Sequence, residues 1–207
     1  MDNYKILKFT KIILNVFWFM QIAFIAGIIA VAVLLLFNID LIDLNNLNGF
    51  KIQFSKIMFN EQLSFRGESY DFNMTNGEGR LHVDNLDQIF VYLRILAAFI
   101  HASIFLMIIY FLRKIFINLT DNKYFISKNG VYIKYVGFSI ILLELIPDFI
   151  YYFTDRLIIR SIEFDSIIIK NNFHFNYHNI LLGLLVFVIS IVFLRGIELK
   201  EDHDLTI

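Results

Sequence analysis

Four ionisable side chains stand inside otherwise apolar sequence: Arg94 and His101 within Ile89 to Leu112, and Glu144 and Asp148 within Tyr135 to Phe153. Such groups are costly in apolar surroundings unless they meet a partner or water. Arg94 and His101 are seven residues apart and share one helix face, while Glu144 and Asp148, four apart, share another. Take the two segments as neighbouring antiparallel helices and count depth from Val91 and Phe153 at about 1.5 Å per residue. Arg94 then lies roughly 5 Å deep and Asp148 roughly 7 Å, with His101 at roughly 15 Å and Glu144 at roughly 13 Å. The spacing predicts an intramembrane polar ladder, its outer rung Arg94 with Asp148 and its deeper rung His101 with Glu144. Structural rungs would fix rotation and register for about 1 kcal/mol or less each. Responsive rungs would instead exploit an imidazole that titrates near neutral pH and a carboxylate whose pKa burial raises. Pro147, between the two carboxylates, removes one backbone hydrogen bond and predicts a kink that is either a binding-site device or ordinary helix shaping.

Little else in the chain has the makings of a reactive centre. His174 and His178 are four apart and could ligate a metal with nearby carboxylates, but histidines flanking an apolar run are more often interfacial, so no metal site is expected. There is no His-Glu-x-x-His pair, no serine in a nucleophile elbow and no glycine-rich phosphate cradle. The absence of cysteine excludes thiolate chemistry and disulfides. The expectation is a protein that is not an enzyme and needs no cofactor. A net charge of −1 leaves no basic surface for direct contact with nucleic acid.

The elements that must position these residues are four apolar stretches, Ile12 to Phe37, Ile89 to Leu112, Tyr135 to Phe153 and Ile180 to Leu194. Each approaches or exceeds the roughly 20 residues of a membrane-spanning helix. The first is too long for a signal-peptide core and is read as an uncleaved span. Lys5, Lys8 and Lys11, the connection from Arg113 to Lys134, and Arg195 with Lys200 concentrate positive charge, which places both termini and the inner loop (113–134) in the cytoplasm. Loops 38–88 and 154–179 then lie outside. Tyr92, Tyr110, Tyr135, Tyr151, Tyr152 and Tyr177 mark the span ends, as interfacial aromatics do.

Both outer loops alternate apolar and polar residues. Phe50 to Phe54, Tyr70 to Met74 and Arg80 to Val83 read as strands, with Asn76-Gly77-Glu78-Gly79 as a turn; so do Leu157 to Phe164, Ile167 to Ile169 and Phe173 to Tyr177. The expected fold is an all-α transmembrane four-helix bundle forming one membrane domain over residues 1–207, with a small extracytoplasmic β-rich part built from both loops. Small residues at four-residue spacing, Ala23 with Gly27, Ala26 with Ala30 and Ala98 with Ala102, allow close helix contact within the bundle or in a homo-oligomer.

The inner loop carries Tyr124-Phe125, Asn129, Tyr132, Lys134 and Gly137; the tail (195–207) carries Leu194-Arg195-Gly196-Ile197-Glu198-Leu199 and then Asp204-Leu205-Thr206-Ile207. In these residues the chain resembles the bacterial four-span membrane family called domain of unknown function 2975. The resemblance implies a multi-pass protein of the bacterial inner (plasma) membrane and a cytoplasmic helix-turn-helix regulator as partner. On that reading Phe125, Asn129, Gly196, Glu198, Asp204, Leu205, Thr206 and Ile207 are candidates for partner docking. The physical counterpart is an acidic tail ending in an apolar plug, against the plainer reading of a solvated helix extension. Two functions follow as expectations: a sensor of an envelope condition that signals to a cytoplasmic partner, or a small transporter or channel subunit using the polar ladder.

Overall fold

The computed structural model describes residues 3–37, 49–65, 68–82, 88–161, 167–170 and 176–204. In chain order these form α1 (Asn3–Leu36), β1 (Gly49–Phe65), β2 (Glu68–His82), α2 (Gln88–Thr120), α3 (Ser127–Ser161), β3 (Ile167–Lys170) and α4 (Tyr177–Asp204). All four helices among the described residues are long and apolar enough to cross a membrane. At 33 and 35 residues, α2 and α3 exceed the roughly 20 residues that a bilayer core requires. The residues group into two compact units. One comprises Met1–Val33, Ala97–Pro147 and Phe175–Ile207; the other comprises Leu34–Leu96 and Asp148–His174.

The first unit is a helix bundle whose surface is apolar. Along α1 only a narrow stripe that includes Leu14, Trp18, Gln21, Ile25 and Ile28 is half-buried, at the three- and four-residue spacing of one helix face. Gln21 Nε2 on that stripe donates to the carbonyl of Ala102 at 2.9 Å. Phe9, Phe17, Phe19 and Phe24 are each more than half exposed, and none of the most apolar stretch of α1 is buried inside the protein. A bilayer is the solvent that suits so much contiguous apolar surface. The small residues Ala23, Ala26, Gly27 and Ala30 are exposed, so packing inside the bundle does not explain them.

α3 and α4 meet backbone to backbone. A Cβ added at Gly137 would stand 2.8 Å from the Gly183 carbonyl oxygen and 2.8 Å from the Phe187 nitrogen, and one at Gly183 would stand 2.8 Å from the Gly137 carbonyl. Helices without a hydrophobic drive toward each other in lipid associate through such close contacts. The buried hydroxyls of Ser139 and Ser190 stay within their own helices, donating to the carbonyls of Tyr135 and Phe187.

α2 ends in a tight cap. Asn122 has φ 59, the N–H of Lys123 donates to the Asn118 carbonyl, and the N–H of Asn122 donates to that of Leu119. This is the helix-ending pattern in which a left-handed residue, here Asn rather than Gly, closes the last turn. It lets α3 turn back within six residues.

The second unit holds a three-stranded sheet, order β2-β1-β3, with β1 antiparallel to both neighbours. Leu63 pairs with Tyr70 and Phe50 with Leu81, so the reversal lies between Phe65 and Glu68, not at Asn76 to Gly79 as the turn residues predict. Those residues are inside β2, where Asn76 takes φ 55 and Gly77 lies under the Phe54 ring. Asn76 uses the left-handed conformation that Asn tolerates within a paired strand, and the β1–β2 register runs unbroken across it from Gly77 to Thr75. Leu157 to Ser161, read from sequence as strand, is the last turn of α3, and Tyr177 begins α4. β-branched composition does not outweigh a helix already propagating from 127. The expected strand residues Val83, Ile162 to Phe164 and Phe173 to Phe175 lie outside the described residues.

Candidate functional sites on α2 and α3

Arg94 projects from the N-terminal part of α2 and donates from Nη2 to Oδ1 of Asp155 at 2.7 Å; the two side chains are 13% and 19% exposed. Asp148, which helix-face spacing pairs with Arg94, lies two turns from Asp155 along the same helix and has a partner of its own. Depth counted from Phe153 assumes that α3 ends there, but α3 continues to Ser161. Measured from the observed ends, Arg94 is six residues inside α2 and Asp155 six residues inside α3, a matching depth of about 9 Å. Residues 148, 151 and 155 share one face of α3, and Tyr151 feels the charges of Arg94, Asp148 and Asp155.

The deeper rung does not form. Glu144 turns to the start of α4: its Oε1 accepts from the backbone N–H of Asn176 at 2.6 Å and its Oε2 accepts from Asn179 Nδ2 at 2.9 Å. Asn176 caps α4, its Oδ1 accepting from the His178 N–H and its carbonyl from the Asn179 N–H. A carboxylate at a helix N-terminus is favoured both by the unsatisfied N–H groups and by the helix dipole. His101 is exposed on α2, and among the described residues no hydrogen bond or ion pair joins it to Glu144. Ser103 donates to the Phe99 carbonyl in its own helix. Among the described residues no group of three or more His, Asp or Glu could hold a metal; His174 lies outside them.

At the other end of α2 and α3, Asn129 is buried at 1% exposure. Its Nδ2 donates to the carbonyls of Lys123 and Tyr124 at 2.9 and 3.0 Å, and its Oδ1 accepts from Asn118 Nδ2 at 2.7 Å. Every polar atom of the amide is used, so Asn129 is a latch of the inner loop and is not open to a docking partner.

A family described as "Protein of unknown function (DUF2975)" matches residues 82–207. The chain belongs to that family. The match takes in α2, α3, β3 and α4, and leaves out α1 and nearly all of the β1–β2 hairpin. No curated protein and no solved structure matches the chain. Two DUF2975 residues that carry the sequence resemblance have structural work: Asn129 closes the inner loop and Gly137 admits the backbone of α4.

The remaining candidates are on the DUF2975 tail and loop. Phe125 is 65% exposed, stacks on Phe193 at 5.9 Å, and has Lys200 Nζ 6.0 Å above its ring. Gly196 faces open space, and Glu198 is exposed and paired with Arg195 at 2.7 Å. Asp204 is the last residue of α4; Leu205, Thr206 and Ile207 lie outside the described residues. Asp155, Asn118 and Asn176 make these contacts and are absent from the sequence candidates. Asn176 had a usable signal, an N-cap residue directly before an apolar run.

Proposed function

We propose that the chain is a non-enzymatic, multi-pass protein of the bacterial inner membrane that senses an envelope condition and passes it to a cytoplasmic partner. Both termini face the cytoplasm in this reading, and the sheet lies outside. The observation that carries it is that α2 and α3 each contribute to both compact units and are tied near both ends. Arg94 with Asp155 joins them at the outer end, and Asn118 with Asn129 at the inner end, each at 2.7 Å. A helix pair held in this way passes a displacement along its length, since packed helices adopt discrete arrangements in preference to deforming continuously. The partner suggested by the family resemblance is a helix-turn-helix regulator, and the exposed ring of Phe125 beside the acidic tail is the surface offered to it.

The test is cross-linking in native membranes, purification of the tagged protein and mass spectrometry of what accompanies it. A small DNA-binding protein should be recovered with the parent chain and lost when residues 198–207 are removed. The variant Asp155→Asn, which weakens the outer tie without touching the inner loop, should change the amount recovered. Recovery unaffected by both changes sinks the relay.

A further inference from the structure

The inner end of the bundle carries a run of neighbouring rings. Trp18 of α1 and Tyr110 of α2 lie 5.7 Å apart, Tyr110 meets Phe111 edge-on at 5.4 Å, and Phe111 stacks on Tyr135 of α3 at 5.0 Å. Over this run stand two cations from consecutive residues. Arg113 Cζ is 5.6 Å from the Trp18 ring and Lys114 Nζ is 5.5 Å from the Tyr110 ring. Arg113 also donates from Nε to the neutral Oδ1 of Asn15 at 2.6 Å. Both cations are half-buried, and among the described residues neither is in an ion pair with a carboxylate.

A half-buried cation that rests on a ring and bonds a neutral amide keeps an uncompensated charge. A guanidinium has five N–H donors, and among the described residues only the Nε of Arg113 finds an acceptor. Cation–π contact fixes the plane of the guanidinium without consuming its terminal donors. The pair immediately follows Leu112, the end of the apolar run of α2, at the level where Trp and Tyr rings settle among headgroups. Donors in a fork, positive charge and aromatic walls at that depth match a phosphodiester of an anionic lipid.

The geometry points to a specific anionic-phospholipid site formed by Arg113 and Lys114 over Trp18 and Tyr110. This site stands independently of the relay reading. Trp18 is the single tryptophan of the chain, which makes it a reporter inside the site. In phosphatidylcholine bilayers, brominated-chain phosphatidylglycerol or brominated-chain phosphatidylcholine is introduced at equal mole fraction and Trp18 emission is followed. The anionic lipid should quench at lower mole fraction, with a preference of about fivefold for each cation engaged. The double substitution Arg113→Gln with Lys114→Gln should erase the preference, whereas Arg113→Lys should retain most of it. Equal quenching by the two lipids in the parent protein overturns the site, as does an undiminished preference in the double variant. Loss of the preference in excess inorganic phosphate would assign the pocket to free phosphate and overturn the lipid assignment.

Discussion

At the scale of single residues, the polar groups of this protein bind helices to one another in ways that helix-face spacing only partly anticipates. The face shared by Arg94 and the α3 carboxylates follows from sequence, but the bond to Asp155 does not, because that residue lies past Phe153, where the apolar run ends. Glu144 escapes that kind of reasoning altogether, since its partners are backbone and amide groups at the start of α4, on a segment that reads as strand. Asn129 was visible as a residue of interest but for a different role. Replacing it with Ala removes the acceptor of Asn118 and the donor to two loop carbonyls in a buried place. Asn129→Ala should cost about 1–3 kcal/mol, read as a lower unfolding temperature in detergent with faster proteolysis after Lys123. An unchanged melting profile would show that the loop is held by other contacts.

At the scale of elements, four apolar helices were legible because hydropathy and length are strong signals over 20 residues or more. Boundaries were less so. α3 continues past Phe153 because Tyr151 to Ser161 offers no Gly or Pro to stop it, and a growing helix adds residues more readily than a new strand can nucleate. The strands of the hairpin were visible in their alternation, whereas the turn was misplaced because Asn76 takes its left-handed conformation inside β2, where the pairing runs on from Gly77 to Thr75. Glycine identity also separates packing from tolerance. Gly137→Val should force α3 from α4, since the atoms it meets are backbone, at a cost of about 1–3 kcal/mol. Gly196→Ala, which meets nothing within 4 Å, should leave stability unchanged or raise it by up to about 1 kcal/mol. Thermal scans of the two variants in the same detergent check the contrast; equal effects would remove the close-packing explanation.

At the scale of the whole molecule, charge distribution and apolar length together decide which way the chain threads the bilayer. Ten Lys and Arg residues fall in the amino-terminal segment, the inner connection and the tail, while the first outer loop is dominated by Asp and Glu. In the orientation proposed above, the aromatic run and its two cations fall at the cytoplasmic headgroup layer. A sensing role and a lipid site both depend on that sidedness. The chain has no cysteine, so single cysteines introduced at Lys56 in β1, Asn122 in the inner loop and Glu201 in α4 can be probed with a membrane-impermeant maleimide on intact spheroplasts. Labelling of the Lys56→Cys protein in intact cells, with Asn122→Cys and Glu201→Cys labelled only after permeabilisation, is the predicted result. Labelling of all three from the same side, or of Asn122→Cys before Lys56→Cys, would contradict the four-span account.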